Sequence, residues 1–170
     1  VMFMLGLCQG MQPIVGYNYG AGNLHRLKRA YFLTVVWGTG VVSVGAAIGL
    51  FCPQLVARLF TTDANLIQVT SNAFSLAMIC FCVVGFQIVS TNFFQSIGKI
   101  PQSIFLSLTR QVIFLIPLLL ILTDRFGLDG IWLSFPGSDA LATIVTFAMI
   151  AREFHKIDHT LRKADLQNKN

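Results

Sequence analysis

Charge is scarce in this sequence. Asp, Glu, Lys and Arg together make up 11% of its 170 residues, less than half of the quarter or so found in a soluble domain. So few charges cannot cover a water-soluble fold of this size, which excludes a globular domain in water. Also missing are a CxxC pair and any histidine beside the four cysteines, Cys8, Cys52, Cys80 and Cys82. These lie in or next to apolar segments and read as free thiols acting as small apolar residues, not as disulfides or metal ligands. Gly20-Ala21-Gly22 lacks the lysine and threonine of a phosphate cradle. With no nucleophile–base pair and no metal cluster in view, neither an enzyme nor a cofactor is expected.

What the sequence has in quantity is apolar length. Hydrophobic residues make up 55% of it and the mean hydropathy is +0.70. A bilayer core of roughly 30 Å needs about 20 apolar residues per spanning helix. The implied fold class is all-α, a polytopic membrane helix bundle with four full spans and a partial span at the N-terminal end. The net charge of +5 sits between and after the apolar runs rather than in one patch, which argues against nucleic acid. The lipid bilayer is the expected partner.

The chain opens VMFMLGLCQGMQP, apolar from its first residue and unlike a signal peptide. It reads as the end of a helix whose beginning is missing, over about residues 1–16. A polar, glycine-rich linker is expected at Tyr17–Asn23, followed by the basic run His25, Arg26, Lys28 and Arg29. The first full span is about 30–51, where Gly45-Ala46-Ala47-Ile48-Gly49 is a small-xxx-small stretch suited to close helix approach. Pro53–Phe60 has an amphipathic pattern of the interfacial kind, and Thr62 or Asp63 can cap the next helix. Further spans fall at 72–97, 102–122 and 131–150, the last expected to break at Pro136-Gly137. The bundle is thus assigned to residues 1–151 and a basic, frayed helical tail to 152–170.

Orientation follows from the distribution of Lys and Arg. One set of alternating loops, with the C-terminus, holds nine of them and the opposite set only Arg58 and Arg125, Arg110 lying inside a span. The basic side, C-terminus included, is expected to be cytoplasmic in a multi-pass protein of the inner or plasma membrane.

Polar groups within spans are the candidate functional residues, because hydrocarbon offers them no other partner. Arg110 lies roughly 12 Å, and Asp139 roughly 16 Å, from the cytoplasmic ends of consecutive antiparallel helices. They are expected to form a direct or water-bridged pair, either a gating element or a static brace. Gln87, Thr91 and Gln95 recur at i, i+4 and i+8, flanked by Asn92, and read as cavity lining or as interhelical glue. Met78 could add an adaptable apolar contact to that cavity. Gln9 and Gln12 either line an inward vestibule or bond backbone groups freed by Pro13. His155 and His159 are four apart but lack a third ligand, so they read as solvated and no metal site is expected.

Three separated stretches carry a family likeness: Gln12-Pro-Ile-Val-Gly-Tyr-Asn-Tyr-Gly-Ala-Gly, Leu108-Thr-Arg-Gln-Val-Ile-Phe-Leu-Ile-Pro, and Gly127-Leu-Asp-Gly-Ile-Trp-Leu-Ser-Phe-Pro-Gly-Ser-Asp. In order and spacing the chain resembles the multidrug and toxic compound extrusion (MATE) family over nearly its whole length. The resemblance implies a twelve-helix antiporter in two lobes, coupled to Na⁺ or H⁺, that expels amphipathic, often cationic, drug-like compounds. The chain would run from the end of helix eight to helix twelve of the C-terminal lobe, its partner being the N-terminal lobe of the same protein. Some members place an aspartate on helix ten, where this chain has only neutral polar residues. Rival readings are a lipid-linked oligosaccharide flippase of the same superfamily, which would want a strongly cationic cavity, and a non-transporting packing module.

Overall fold

The computed structural model describes residues 2–51, 78 and 81–167. Those residues form five helices: α1 (Met2–Gly20), α2 (Leu24–Phe51), α3 (Phe81–Ser96), α4 (Ile100–Phe126) and α5 (Leu128–Gln167). No strand occurs among the described residues. Three of the helices, α2, α4 and α5 over Gly130–Thr160, are long and apolar enough to cross a membrane.

The burial pattern is that of a protein whose solvent is oil. Trp37 and Phe147 are 64% and 65% exposed, while Ser90 and Ser134 are fully buried. Apolar side chains cover the outside as well as filling the core, and hydroxyls face inward, because in lipid their hydrogen bonds have nowhere else to go. The buried positions keep a helical period. On α1 they are Met4, Cys8, Met11 and Val15, and on α2 Leu24, Leu27, Tyr31, Thr34, Gly38 and Val42. Helix α3 is the hub, packing against each of the other four.

Several local expectations change. The stretch Tyr17–Asn23 is only in part a linker, since α1 continues to Gly20 and closes on a glycine turn at Gly22 (φ 72°). There Asn23 N–H donates to Asn18 O at 2.9 Å, the six-to-one bond of a Schellman cap. The same cap ends α3, with Gly98 at φ 75° and Lys99 N–H donating to Phe94 O at 2.9 Å. The basic run His25–Arg29 is helical, forming the first turns of α2. Within the small-xxx-small stretch, Ala46 and Gly49 are buried but Gly45 has no described neighbour within 4 Å of where a Cβ would stand.

The expected break at Pro136-Gly137 does not occur: α5 is one helix through both. In lipid a helix missing one hydrogen bond has no better alternative. Ser134 and Ser138, flanking the proline, fold their hydroxyls back onto the carbonyls of Gly130 and Phe135. Nor is the stretch expected to be a solvated tail wholly so: Glu153 and Ile157 are buried. Glu153 pairs with Lys99 and Asp158 with Lys28, and Phe154 packs edge-on to Tyr31 and Phe93 at 5.1 and 5.6 Å. The expectations for Pro53–Phe60, Thr62, Asp63, Cys52, Cys80 and the start of the 72–97 span lie outside the described residues.

Helix α4 carries an irregularity that the sequence did not announce. Thr109–Leu115 is π-helical, between α-helical turns at Ile100–Leu108 and Ile116–Phe126. Pro117 lies just beyond it. A proline ring clashes with the carbonyl four residues back and supplies no N–H, and the wider π turn removes that conflict. Such insertions recur at functional sites, and this one contains Arg110.

Candidate polar cavity between the helices

Arg110 leaves the π segment toward α5, and its Nε donates to Asp139 Oδ1 at 2.7 Å. The aspartate side chain is 10% exposed and the arginine side chain 34%. An isolated charge in hydrocarbon is costly, so the two groups meet where each neutralises the other. Gly137 lets α5 come near α4 just before this point, since a Cβ there would collide with Leu118 Cδ2.

The Asp139 backbone makes a second junction. Gln87 Nε2 of α3 donates to Asp139 O at 2.7 Å and to Thr143 Oγ1 at 2.6 Å, while Thr143 Oγ1 donates to the same carbonyl. One residue of α5 thereby ties α3 and α4 together. Gln87 Oε1 is buried without a hydrogen-bond partner among the described residues.

Beside this junction lies a cavity of about 230 Å³ lined by Leu5, Gln87, Ile88, Thr91, Asn92, Leu106, Ser107, Arg110, Gln111 and Thr146. Four of the residues singled out from the sequence, Gln87, Thr91, Asn92 and Arg110, meet on its wall. Thr91 Oγ1 donates to Gln87 O at 2.9 Å, and Asn92 Nδ2 to Ile88 O at 2.8 Å. Gln12 Nε2 of α1 reaches across to Asn92 Oδ1 at 3.1 Å, so Gln12 adjoins the cavity through a partner.

The other candidates stand apart. Gln95 is exposed and off the lining, Met78 is half-buried and helical but also off it, and Gln9 is exposed on α1. Sequence reasoning overlooked Ser107, Gln111 and Thr146. The first two flank Arg110 at a spacing of three and one residues, a signal that was available once Arg110 had been chosen. No group of three or more His, Cys, Asp or Glu that could hold a metal occurs among the described residues.

Comparison with known proteins bears on what such a lobe belongs to. The family model described as MatE matches residues 1–121. The multidrug export protein MepA of Staphylococcus aureus is 25% identical over 150 residues, covering 88% of this chain and 33% of its own length. A solved structure of the MATE multidrug transporter DinF-BH in complex with R6G is 42% identical with a TM-score of 0.83, over 88% of this chain and 33% of that one. The inward-facing conformation of a multidrug resistance MATE family transporter shares the fold, with a TM-score of 0.84 at 21% identity over 92% of this chain and 37% of that one. The chain thus spans about a third of the length of the relatives that it matches. Members of that family are transporters, not enzymes. From one end of α1 into the second half of α4, and in its helical architecture throughout, this chain belongs to the MatE family.

Proposed function

We propose that the chain is part of the C-terminal lobe of a multidrug efflux antiporter, driven by a gradient of Na⁺ or H⁺ and working by alternating access. Residues 1–151 form its share of the membrane bundle, and 152–170 its cytoplasmic basic tail. The N-terminal lobe of the same protein is the missing partner. The observation that carries this reading is a polar cavity inside helices whose outer faces are apolar. Such a cavity is costly to keep in lipid unless something polar passes through it or binds there.

Gln87, Thr91 and Asn92 form one wall of the drug-binding space, and Gln12, with Gln9 nearby on α1, its vestibule. Arg110–Asp139 acts as a gating pair, since separating the two costs more in lipid than in water and so gives two discrete states. The ties from Asp139 to α3 and α4 support a lobe that rocks as a unit against its partner.

The intact transporter, reconstituted in vesicles, tests this by efflux of a cationic dye under an imposed proton gradient without Na⁺, and under a Na⁺ gradient at clamped pH. Export under one gradient and none when it is collapsed is the expected result. Equal dye retention with and without either gradient removes the antiporter reading.

A further inference from the structure

We infer that a second pocket, at the basic ends of the helices, binds a phosphate group, supplied at that depth by the head group of an anionic phospholipid. It lies outside the drug-binding cavity, shares no lining residue with it and needs no transport step.

The pocket has a volume of about 330 Å³ and is built where four elements converge. The end of α1 and its glycine turn give Tyr19 and Gly22, the start of α2 gives Leu24, and the turn between α3 and α4 gives Lys99. Helix α5 closes it with Glu153, Lys156, Ile157 and Thr160.

Its depth is set by the length of α5. The stretch Gly130–Thr160 has 31 residues, roughly 46 Å at about 1.5 Å per residue, against a hydrocarbon core of roughly 30 Å. The apolar run closes at Ile150, and Lys156 stands six residues further on, roughly 9 Å past it. That is the layer of lipid head groups. Leu24 and Ile157, both buried, give the pocket an apolar floor. Tyr19, 38% exposed, stands at the boundary where tyrosines gather in membrane proteins.

The groups present suit a phosphate. Lys156 is exposed and has no ion pair among the described residues. The Tyr19 hydroxyl likewise has no hydrogen-bond partner among them. Lys99 pairs with Glu153, yet an ammonium carries three protons and its side chain is still 28% exposed. Glu153 is thereby neutralised, and Lys156 supplies the surplus positive charge. Thr160 adds no donor, since its hydroxyl goes to Lys156 O at 3.0 Å. Gly22, at φ 72°, has nothing within 4 Å of where a Cβ would stand, so the backbone that leads into α2 is open to a ligand. The positive end of the α2 dipole borders the pocket there and adds to the attraction for an anion. Two ammonium groups and a phenol match the oxygens of a phosphodiester through charge-assisted bonds. Phosphatidylcholine carries the same phosphate but brings a quaternary ammonium that Lys156 repels.

The test titrates the intact protein, in a nonionic detergent, with dioctanoyl phosphatidylglycerol, dioctanoyl phosphatidylcholine or glycerol phosphate, and reads the first bound molecule by native mass spectrometry. Phosphatidylglycerol is expected to bind the wild type about fivefold more tightly than phosphatidylcholine, the effect of one basic side chain at a membrane surface. Lys156→Gln should abolish that preference. Tyr19→Phe changes no charge and should weaken phosphatidylglycerol by about threefold, the share of one hydrogen bond. Arg26→Gln removes an exposed charge that lies off the lining and should cost less than about twofold. All three side chains are exposed, so the variants keep the fold. Glycerol phosphate that binds as tightly as the lipid, and is lost in Lys156→Gln, keeps the phosphate site and makes soluble phosphate esters its source; failure of glycerol phosphate to bind assigns the site to lipid. Equal affinity of the wild type for the two lipids overturns the inference. So does an equal loss in Arg26→Gln and Lys156→Gln, the mark of diffuse attraction, or a Tyr19→Phe variant that binds like the wild type.

Discussion

The residue with most depending on it is Asp139, which holds α4 through its carboxylate and α3 through its backbone carbonyl. The pair with Arg110 should be energetically coupled. Arg110→Gln and Asp139→Asn are each expected to destabilise the protein in detergent, and the double variant to cost less than the sum, with a coupling of about 1–3 kcal/mol. Strict additivity in thermal unfolding would show the contact to be incidental. Gln87 yields a less obvious expectation. Gln87→Leu loses two hydrogen bonds, which in membrane proteins average about 0.6 kcal/mol each. It also removes a buried orphan oxygen, a defect costing about 1–3 kcal/mol. The second effect matches or exceeds the first, so stability should stay within about 1 kcal/mol of wild type or rise. A loss of several kcal/mol would mean that Gln87 Oε1 has a partner in the membrane. Arg110 and Asp139 were legible as a pair because depth along two antiparallel helices follows from counting residues. Ser107 and Gln111 were not, because a lone hydroxyl or amide near a helix face carries no pattern of its own.

At the scale of elements, helical spans announce themselves by apolar length, and α2 covers the 30–51 stretch while adding the basic turns before it, which apolar length does not mark. Deviations within helices are harder to read. Pro136 marks no break because lipid leaves the chain no alternative bonding, whereas Pro117 accompanies a change to π geometry that no periodicity reveals. If Pro117 holds that segment open, Pro117→Ala should let it return to α-helix. Residues before it would then rotate by about 100° relative to those after it, carrying Arg110 off Asp139. The Arg110–Asp139 coupling should fall by more than half in that background, and an unchanged coupling would show that the π turn stands without the proline. Residues 152–170 were expected to form a frayed tail, yet the stretch through Asp158 packs, against partners as far away in sequence as Lys28, 130 residues from Asp158. Distances of that kind leave no local mark. Phe154, half-buried among Tyr31, Phe32 and Phe93 with Lys28 Nζ 5.5 Å over its ring, should cost about 2 kcal/mol on replacement by alanine. That is below the 3–5 kcal/mol of a fully enclosed phenylalanine. A change under about 0.5 kcal/mol, the size of an ordinary surface substitution, would return this segment to the status of a solvated tail.

For the molecule as a whole, the broad apolar outer face, with hydroxyls and ion pairs turned inward among an apolar core, is the feature on which the rest depends. It places the helices in lipid, makes the cavity costly to keep without a use, and fits the family to which the chain belongs. The most direct measurement is the sidedness of that cavity during transport. In the intact transporter with every native cysteine replaced by serine, Cys8, Cys52, Cys80 and Cys82 among them, Thr91→Cys provides a single thiol, on the cavity wall. Labelling by a membrane-impermeant maleimide, applied to one face of sealed vesicles at a time, should switch from one face to the other when the ion gradient is reversed. A thiol that reacts equally from both faces, or from neither, whatever the gradient, would contradict an alternating-access lobe.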